Sequence, residues 1–457
     1  MKFMWDGSRL RQTDDRRGAM AATRPNSTLD THLSVFGAFS GIGGLEIGLS
    51  DEGHRTVAMC EADSCATRVL RDKFPDIEIH PDIRTLDALP LCDVMTAGFP
   101  CQDLSQVGSR LGIKGPNSGL IGVLLNLLRS SRRPPKWLIL ENVPFMLKLH
   151  KGSAIRSIVE FLESMDWTWA YRTVDARAFG LPQRRRRVVL IASPSEDPRP
   201  ILFAQDTPAF DQPARGTHAC GFYWTEGNRG LGWAVNATPP LKGGSGLHIP
   251  SPPAMWFPRR REILLPDIRD AERLQGFEPD WTLAAADDKR GDRTRWRLIG
   301  NAVSVPMAAW IGRNLKSRCA SVIGKAEPLP SGKPWPDAAY GSNRKRMRID
   351  CSEWPLREPY SHLAGFLRFP AKPLSEKATR GFLSRLEQSD LRYETQFGLD
   401  LKHHLKHAKK RERDSRQSRD QSAHGGNSRK GQSTRTRFTI RTSSPRNSFS
   451  SPKTPDP

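Results

Sequence analysis

Residues 33–45 read LSVFGAFSGIGGL: a strand-like run, Leu33–Phe39, passes without a break into Ser40-Gly41-Ile42-Gly43-Gly44 and then Leu45. The run has the length and the apolar, β-branched content of a buried strand. The glycines behind it let the backbone turn sharply and come close to a ligand. A helix starting after them adds the positive end of its dipole. A strand, a glycine turn and a helix in this order open the nucleotide-binding sheets of α/β proteins.

Working outward, the same alternation continues to about Ser193. Thr56–Cys60, Asp93–Gly98, Trp137–Leu140 and Arg187–Ala192 read as buried strands. Leu45–Gly53, Ser64–Lys73, Gly119–Arg129 and Ile155–Met165 read as the helices between them. This pattern predicts an α/β fold, a Rossmann-like, largely parallel sheet with ligands at the carboxyl ends of its strands. Glu61, seventeen residues past Gly44, ends the second strand where a carboxylate can accept from ribose hydroxyls. Asp82-Ile83 ends a third strand where it could meet an adenine. Counted from Gly41, the last position of the dinucleotide fingerprint G-x-G-x-x-G falls on Glu46. That disfavours NAD and leaves room for S-adenosylmethionine, which has no pyrophosphate.

Two further strand ends carry chemistry. The fourth strand runs into Phe99-Pro100-Cys101-Gln102, and the fifth into Glu141-Asn142-Val143. The forty residues between Cys101 and Glu141 are about one strand–helix–strand unit, so both side chains belong to one sheet edge. A thiolate is a strong nucleophile, and a carboxyl group beside it can serve as acid or hydrogen-bond donor if burial keeps its proton. Taken singly, Cys101 reads as readily as an inert buried thiol, and Glu141 as a cap.

The chain has 457 residues, a net charge of +22 and seven cysteines. No cysteine pair has zinc-type C-x-x-C spacing and the number is odd, so neither a metal site nor a disulfide framework is expected, and a reducing cytoplasm fits. No run of eighteen apolar residues predicts a membrane span. The polar segment 1–32 reads as a flexible leader, with Met20 an alternative start. Residues 33–193 form the sheet domain. From 194 to 266 Pro, Gly, Trp and Arg dominate, as in a smaller loop-rich domain. Residues 267–318 return to helix, 319–400 form an extension, and 401–457 read as a disordered basic tail. From Leu401 onward there are 15 Lys/Arg against 4 Asp/Glu, a composition that points to an anionic partner, nucleic acid first, with binding that falls with salt. A merely solvated tail accounts for the same residues equally well.

Phe39–Gly44, Pro100-Cys101-Gln102, Glu141-Asn142-Val143, Gln183-Arg184-Arg185-Arg186-Arg187, the stretch Arg269–Phe277, and Gly300-Asn301-Ala302-Val303 occur in this order. Together they resemble the ordered motifs of the cytosine-C5 DNA methyltransferase family, in its bacterial and phage restriction–modification form. The resemblance implies Cys101 as nucleophile, Glu141 as the acid at ring nitrogen 3, and Arg185 and Arg187 as the arginines that hold the cytosine. It implies an S-adenosylmethionine site lined by Phe39, Gly41, Gly43, Glu61, Asp82, Ile83, Leu120, Asn301 and Val303. Residues 194–266 match the target-recognition domain. Gln102, Ser105, Thr238 and Arg259 are then the candidates for DNA contact. The implied partner is double-stranded DNA, from which the target cytosine must be turned out to be reached. A cognate restriction endonuclease is the candidate protein partner, and the chain is expected as a monomer in the cytoplasm, on the nucleoid. Ala62 and Arg186 depart from the family's usual residues. An RNA cytosine methyltransferase and an inactive DNA-binding homologue are the alternatives.

Overall fold

The computed structural model describes residues 32–99, 119–208, 213–226, 230–243, 251–286, 292–317, 324–330, 332–342, 344–359 and 361–425, the last with side chains to 410. The candidate nucleophile Cys101 and the candidate DNA contacts Gln102 and Ser105 lie outside the described residues, as does the leader to residue 31.

The main sheet has ten strands. In chain order they are β1 Ser34–Ala38, β2 Arg55–Cys60, β3 Glu78–His80, β4 Val94–Ala97, β5 Trp137–Asn142, β6 Thr168–Asp175, β7 Arg186–Ser193 and, far along the chain, β12 Ala326–Pro328, β13 Ala338–Ser342 and β14 Lys345–Ile349. They lie side by side in the order β12-β14-β13-β6-β7-β5-β4-β1-β2-β3. Strands β3, β2, β1, β4 and β5 are mutually parallel, and from β7 onward every pairing is antiparallel. The predicted parallel sheet is therefore half of the whole. Strand order reverses at β1, between β2 and β4, and this crevice is where ligands bind such a sheet.

Local sequence explains the parallel half. Helices cover both faces, so β4 and β5 are buried along their whole length, as the continuous apolar runs require. Helices α1 Gly44–Asp51, α2 Ser64–Lys73, α3 Leu120–Ser130 and α4 Ser153–Glu163 connect or flank these strands. Asp63 caps α2 by accepting from the backbone of Cys65 and Ala66. The return segment supplies α5 Ile268–Leu274, α6 Arg293–Asn301 and α7 Val305–Lys316. Gly48 lets α1 and α7 meet, since a Cβ there would stand 2.4 Å from the Val305 carbonyl.

Residues 194–266 contribute β8 Cys220–Phe222, β9 Ala234–Val235, β10 Ala254–Phe257 and β11 Glu262–Leu265 to a second sheet. Its order is β15-β11-β10-β8-β9, and β15, Lys372–Pro373, comes from the extension. The extension is thus divided between both layers of the fold. Its first part adds β12–β14 to the main sheet, Ala338 pairing with Arg172. Its second part adds β15 and the helices α8 Glu376–Glu387 and α9 Thr395–Gly425 to the small domain. Phe382, Leu386, Phe397 and Leu401 share a core with Phe222, Trp256 and Ile263. Helix α9 runs to Gly425, so ordered structure continues well into the segment read as a tail from Leu401. The reason is local: Leu401, His404 and Ala408 are buried on the small domain.

Candidate active site

The cofactor side is built from the glycine turn after β1. Phe39 has φ 54°, Gly41 φ 58° and Gly43 φ 87°, so the chain passes through three left-handed residues to reach α1. A Cβ on Gly41 would meet nothing within 4 Å, so its conformation alone calls for glycine and it faces open space. A Cβ on Gly43 would strike the Phe74 ring at 2.6 Å, and one on Gly44 the Val303 carbonyl at 2.4 Å. Gly43 therefore shapes the turn from behind.

Glu61, at the end of β2, accepts from the backbone N–H of Gly41 and of Asp63, both at 2.7 Å. Burial pushes its carboxyl above the ordinary range, against the pull of those bonds. Asp63 pairs with Arg297 at 2.5 Å, and Asp82 with Arg84 at 2.6 Å, so each already faces a guanidinium. The Arg84 hydrogen bonds hold the Asp82 carboxyl below its usual range. Glu61 is held by backbone N–H groups instead, which leaves its charge free for a ligand's hydroxyls. Ile83 is buried beside Asp82. Leu120 starts α3, and Asn301 and Val303 follow one another across the end of α6.

The opposite side is built from β4, β5 and β7. Gly98 and Phe99 follow β4, and the Phe99 carbonyl accepts from Asn142 Nδ2 at 3.0 Å. That bond ties Phe99, two residues past β4, onto the strand end that bears Glu141. The Glu141 carboxylate reaches across to the antiparallel neighbour: its Oε1 lies 2.8 Å from Arg187 Nε. The pair is an ion pair without an aligned hydrogen bond, for Oε1 is buried and has no hydrogen-bond partner among the described residues. Glu141 Oε2 would lie 3.7 Å from a Cβ on Gly98. Glu141 thus stands at the mouth of the β4 turn with acceptor capacity to spare.

Arg185 is placed differently from Arg187. It is buried, donating to the carbonyls of Leu241 at 3.2 Å, Gly300 at 3.3 Å and Ala302 at 2.6 Å. It joins the small domain to the return segment and so positions the site's wall. Arg186, where the resemblance had an acid, pairs with Glu353 and Asp337 of the extension. Arg184 donates its backbone N–H to the Thr238 carbonyl at 2.8 Å. Thr238 itself is fully buried, with its hydroxyl oxygen enclosed by protein. It faces no open surface here, because its backbone is bridged to Pro182 and Arg184 in a short pairing with β7's leading edge. Arg259 is exposed at the β10–β11 turn.

These parts enclose one cavity of about 1170 Å³. Phe39, Gly41, Glu61, Asp82, Ile83, Leu120, Asn301 and Val303 line it, together with Glu141, Arg185 and Arg187. Gly43 alone of the residues read for the cofactor stands behind the wall. Tyr223 and Lys242 of the small domain close the space, with the Lys242 ammonium 3.7 Å over the Tyr223 ring. Two positioning groups carried no role in the sequence reading. Gln183 donates to the Leu274 carbonyl at 2.8 Å and accepts from Leu241 N–H at 3.1 Å. Gly243 and Gly300 let two backbones cross, a Cβ on Gly300 falling 2.3 Å from Gly243 N. Only the small domain's approach makes these residues matter, and no local pattern announces it.

Residues 33–219 match the family model described as C-5 cytosine-specific DNA methylase. The Type II methyltransferase M2.BsuMI of Bacillus subtilis (strain 168) is 46% identical over 376 residues, covering 80% of this chain and 96% of that one. The chain belongs to the C-5 cytosine-specific DNA methylase family. A second relative of this family group, the Type II methyltransferase M.BsuFI of Bacillus subtilis, is 34% identical over 161 residues, 35% of this chain and 39% of that one. Among solved structures, the Dnmt2 methyltransferase of S. pombe aligns with a TM-score of 0.45 at 16% identity, over 63% of this chain and 99% of that one. In this member of the family the glycine turn and the Glu141–Arg187 pair line the same cavity. Among the described residues no helix is long and apolar enough to cross a membrane.

Proposed function

We propose that this methylase transfers a methyl group from S-adenosylmethionine to carbon 5 of a cytosine turned out of a specific duplex DNA sequence, with Cys101 as the nucleophile. The observation that carries the reading is the Phe99–Asn142 bond beside the Glu141–Arg187 pair, both at the mouth of the switch-point crevice.

The residues present fit the methyl donor. Gly41 offers an open cradle, and Glu61 is the carboxylate whose charge is not already matched by a guanidinium. Glu61 would orient ribose hydroxyls, Asp82 and Ile83 would flank the adenine, and Asn301 and Val303 would close the wall. The donor supplies a methyl group on a positively charged sulfur. The cavity exceeds the roughly 300–1,000 Å³ of ordinary small-molecule sites, which accommodates a base beside the donor.

The chain's own groups act on the base. The Cys101 thiolate adds to carbon 6, and the electron pair of the carbon 5–carbon 6 bond moves to carbon 5, making it nucleophilic. Glu141 is placed to hydrogen-bond ring nitrogen 3, and Arg187 to hold Glu141 and the ring oxygen. Carbon 5 then takes the methyl group as the donor's carbon–sulfur bond breaks, and loss of the carbon 5 proton to water expels the thiolate and restores the carbon 5–carbon 6 double bond. Arg185 acts through Leu241, Gly300 and Ala302 and is a positioning residue. Arg259, exposed on the small domain, is a DNA contact in this reading. Gln102 and Ser105, next to the nucleophile in the chain, are two more. The likeness to Type II methyltransferases supports a protective role against a cognate restriction endonuclease.

Bisulfite sequencing of DNA from cells expressing the chain, beside a Cys101→Ser control, tests the proposal. Methylated cytosines in one short sequence context, absent from the control, are expected. Folded wild-type protein that leaves cytosines unmodified would overturn it.

A further inference from the structure

Arg187 stands at a half-paired end of the main sheet. On the β5 side, the last pair of β7 is Val188 with Asn142. On the β6 side the ladder runs on, to Arg187 with Val174 and Arg186 with Asp175. Within the sheet, Arg186 and Arg187 are thus paired on one side only. The Arg187 guanidinium has two acceptors: the Glu141 carboxylate, 2.8 Å from Nε, and the carbonyl of its own neighbour Arg186, at 2.7 Å. The position of the Arg186 peptide therefore decides where Arg187 meets Glu141.

The extension holds that neighbour. Arg186 Nε donates to the Glu353 carboxylate, and a terminal nitrogen of the same guanidinium donates to Asp337 at 3.2 Å. Both acids are anchored on β6, the strand that pairs with this end of β7. The Glu353 carbonyl accepts from Asp175 N–H at 3.0 Å, and the Asp337 carbonyl from Thr173 N–H at 2.7 Å. Trp354, next to Glu353, is buried with its ring 5.1 Å from the Arg177 guanidinium. A planar fork gripped at two nitrogens by acids on a strand-bound frame has little freedom. The two acids are not equivalent. The Asp337 side chain is 61% exposed and that of Glu353 28%. Of the two, Glu353 lines the cavity beside Arg186, Arg187 and Glu141.

We propose that Glu353 is a positioning residue for methyl transfer: by fixing the Arg186 side chain, it holds the half-paired end of β7 where Arg187 reaches Glu141. The inference rests on the proposed role of the Glu141–Arg187 pair at the base. It makes the extension a working part of the active site. Ion pairs this open to water add little to stability. A displacement of about 1 Å at a reacting group, in contrast, can lower a rate by about a hundredfold. Loss of the Glu353 carboxylate is therefore read in the rate and not in the melt.

The test uses the full chain and a duplex carrying the sequence that bisulfite mapping identifies. Glu353→Gln should lower the single-turnover rate at saturating donor and DNA by about tenfold, a part of the full misplacement effect. The KM values for donor and DNA and the urea midpoint should stay those of the wild type. Arg186→Gln removes the same contact from the other side and should match it, and the two changes together should lose no more than either alone. In an Arg187→Gln chain, Glu353→Gln should change the rate by less than twofold, because the guanidinium it positions is gone. A purely structural role would add its loss in both backgrounds. A Glu353→Gln rate within twofold of wild type overturns the proposal, as does a tenfold loss that persists beside Arg187→Gln, or an effect confined to the KM for DNA. Wild-type chain that leaves the duplex unmethylated, or a full rate in Arg187→Gln, overturns the enzymatic reading and this inference with it. A working enzyme indifferent to Glu353 overturns the inference alone.

Discussion

Replacing Arg185 by Met separates positioning from catalysis at this site. The side chain of Met is uncharged and of similar length, so the change removes the guanidinium with little loss of volume. Three donations disappear, to the carbonyls of Leu241, Gly300 and Ala302. Charge-assisted bonds of this kind contribute about 1.5 kcal/mol each at the low end, which sets the loss at about 4.5 kcal/mol. A domain of ordinary stability survives that at 25 °C. Arg185→Lys keeps the charge but not the fork, and should lose about half as much. Gly300 and Ala302 flank Asn301, so slackening them also loosens the cofactor wall. Urea denaturation should show both losses in the stated ratio, and calorimetric titration should show methyl-donor affinity about tenfold weaker in R185M. The single-turnover rate at saturating donor and DNA should fall by less than tenfold. A normal urea midpoint and normal donor affinity, with a rate down a hundredfold or more, would place Arg185 on the reacting base and refute the positioning role.

Glu141→Gln should lower the single-turnover methylation rate by about a hundred- to a thousandfold, the usual scale for a proton-handling group, while donor affinity in titration stays within twofold. Arg187→Gln should give a similar loss, and the double variant no more than the worse single one, because the two form one pair. Glu46, fully buried beneath the glycine turn against the Ser40 and Thr96 hydroxyls and within reach of Glu61's charge, has its carboxyl pushed from 4.5 to about 7 by burial. The unfolded chain ionises this group from pH 4.5 upward while the folded chain keeps its proton, so stability is lost as pH rises towards 7 and stays lost above. Glu46→Gln removes the penalty, and its stability advantage over wild type should grow by about 3 kcal/mol between pH 4.5 and 8 in urea melts; a constant difference would count against the buried acid. Asp400→Ala leaves the buried Trp256 N–H without its acceptor and should cost about 2 kcal/mol, read as earlier proteolysis of the small domain with the main sheet intact.

The readable part of the molecule was the part whose pattern is local. The β1 run and its glycine turn announce themselves because one strand, one turn and one helix dictate them. The strand ends bearing Glu61 and Glu141 follow from counting along the same βαβ units. Strand β6 escaped because both its faces are buried without being apolar. Arg172 in its middle is accommodated by the carbonyls of Leu202 and Gln205 and by Asp206, all from another segment. The same distance effect hides the place of the extension. Ala338 pairs with Arg172, and Trp354 and Leu401 complete cores begun far earlier in the chain, so their neighbours are set by tertiary register, which no period in the sequence encodes.

Arginine identity shows where such reading stops. Arg184, Arg185, Arg186 and Arg187 are adjacent and chemically identical, and an extended strand sends alternate side chains to opposite faces. That rule pairs Arg185 with Arg187 on one face and Arg184 with Arg186 on the other, where they meet Gly232 of the small domain and Glu353 of the extension. What it leaves undecided is the difference between Arg185 and Arg187, and here the neighbours decide. Leu241, Gly300 and Ala302 present carbonyls to the first, and Glu141 presents a carboxylate to the second. A guanidinium whose two terminal nitrogens are held by three backbone oxygens holds walls in place. One paired to a carboxylate that still has an open acceptor can exchange that partner for a base, which is why the proposed chemistry is assigned to Arg187.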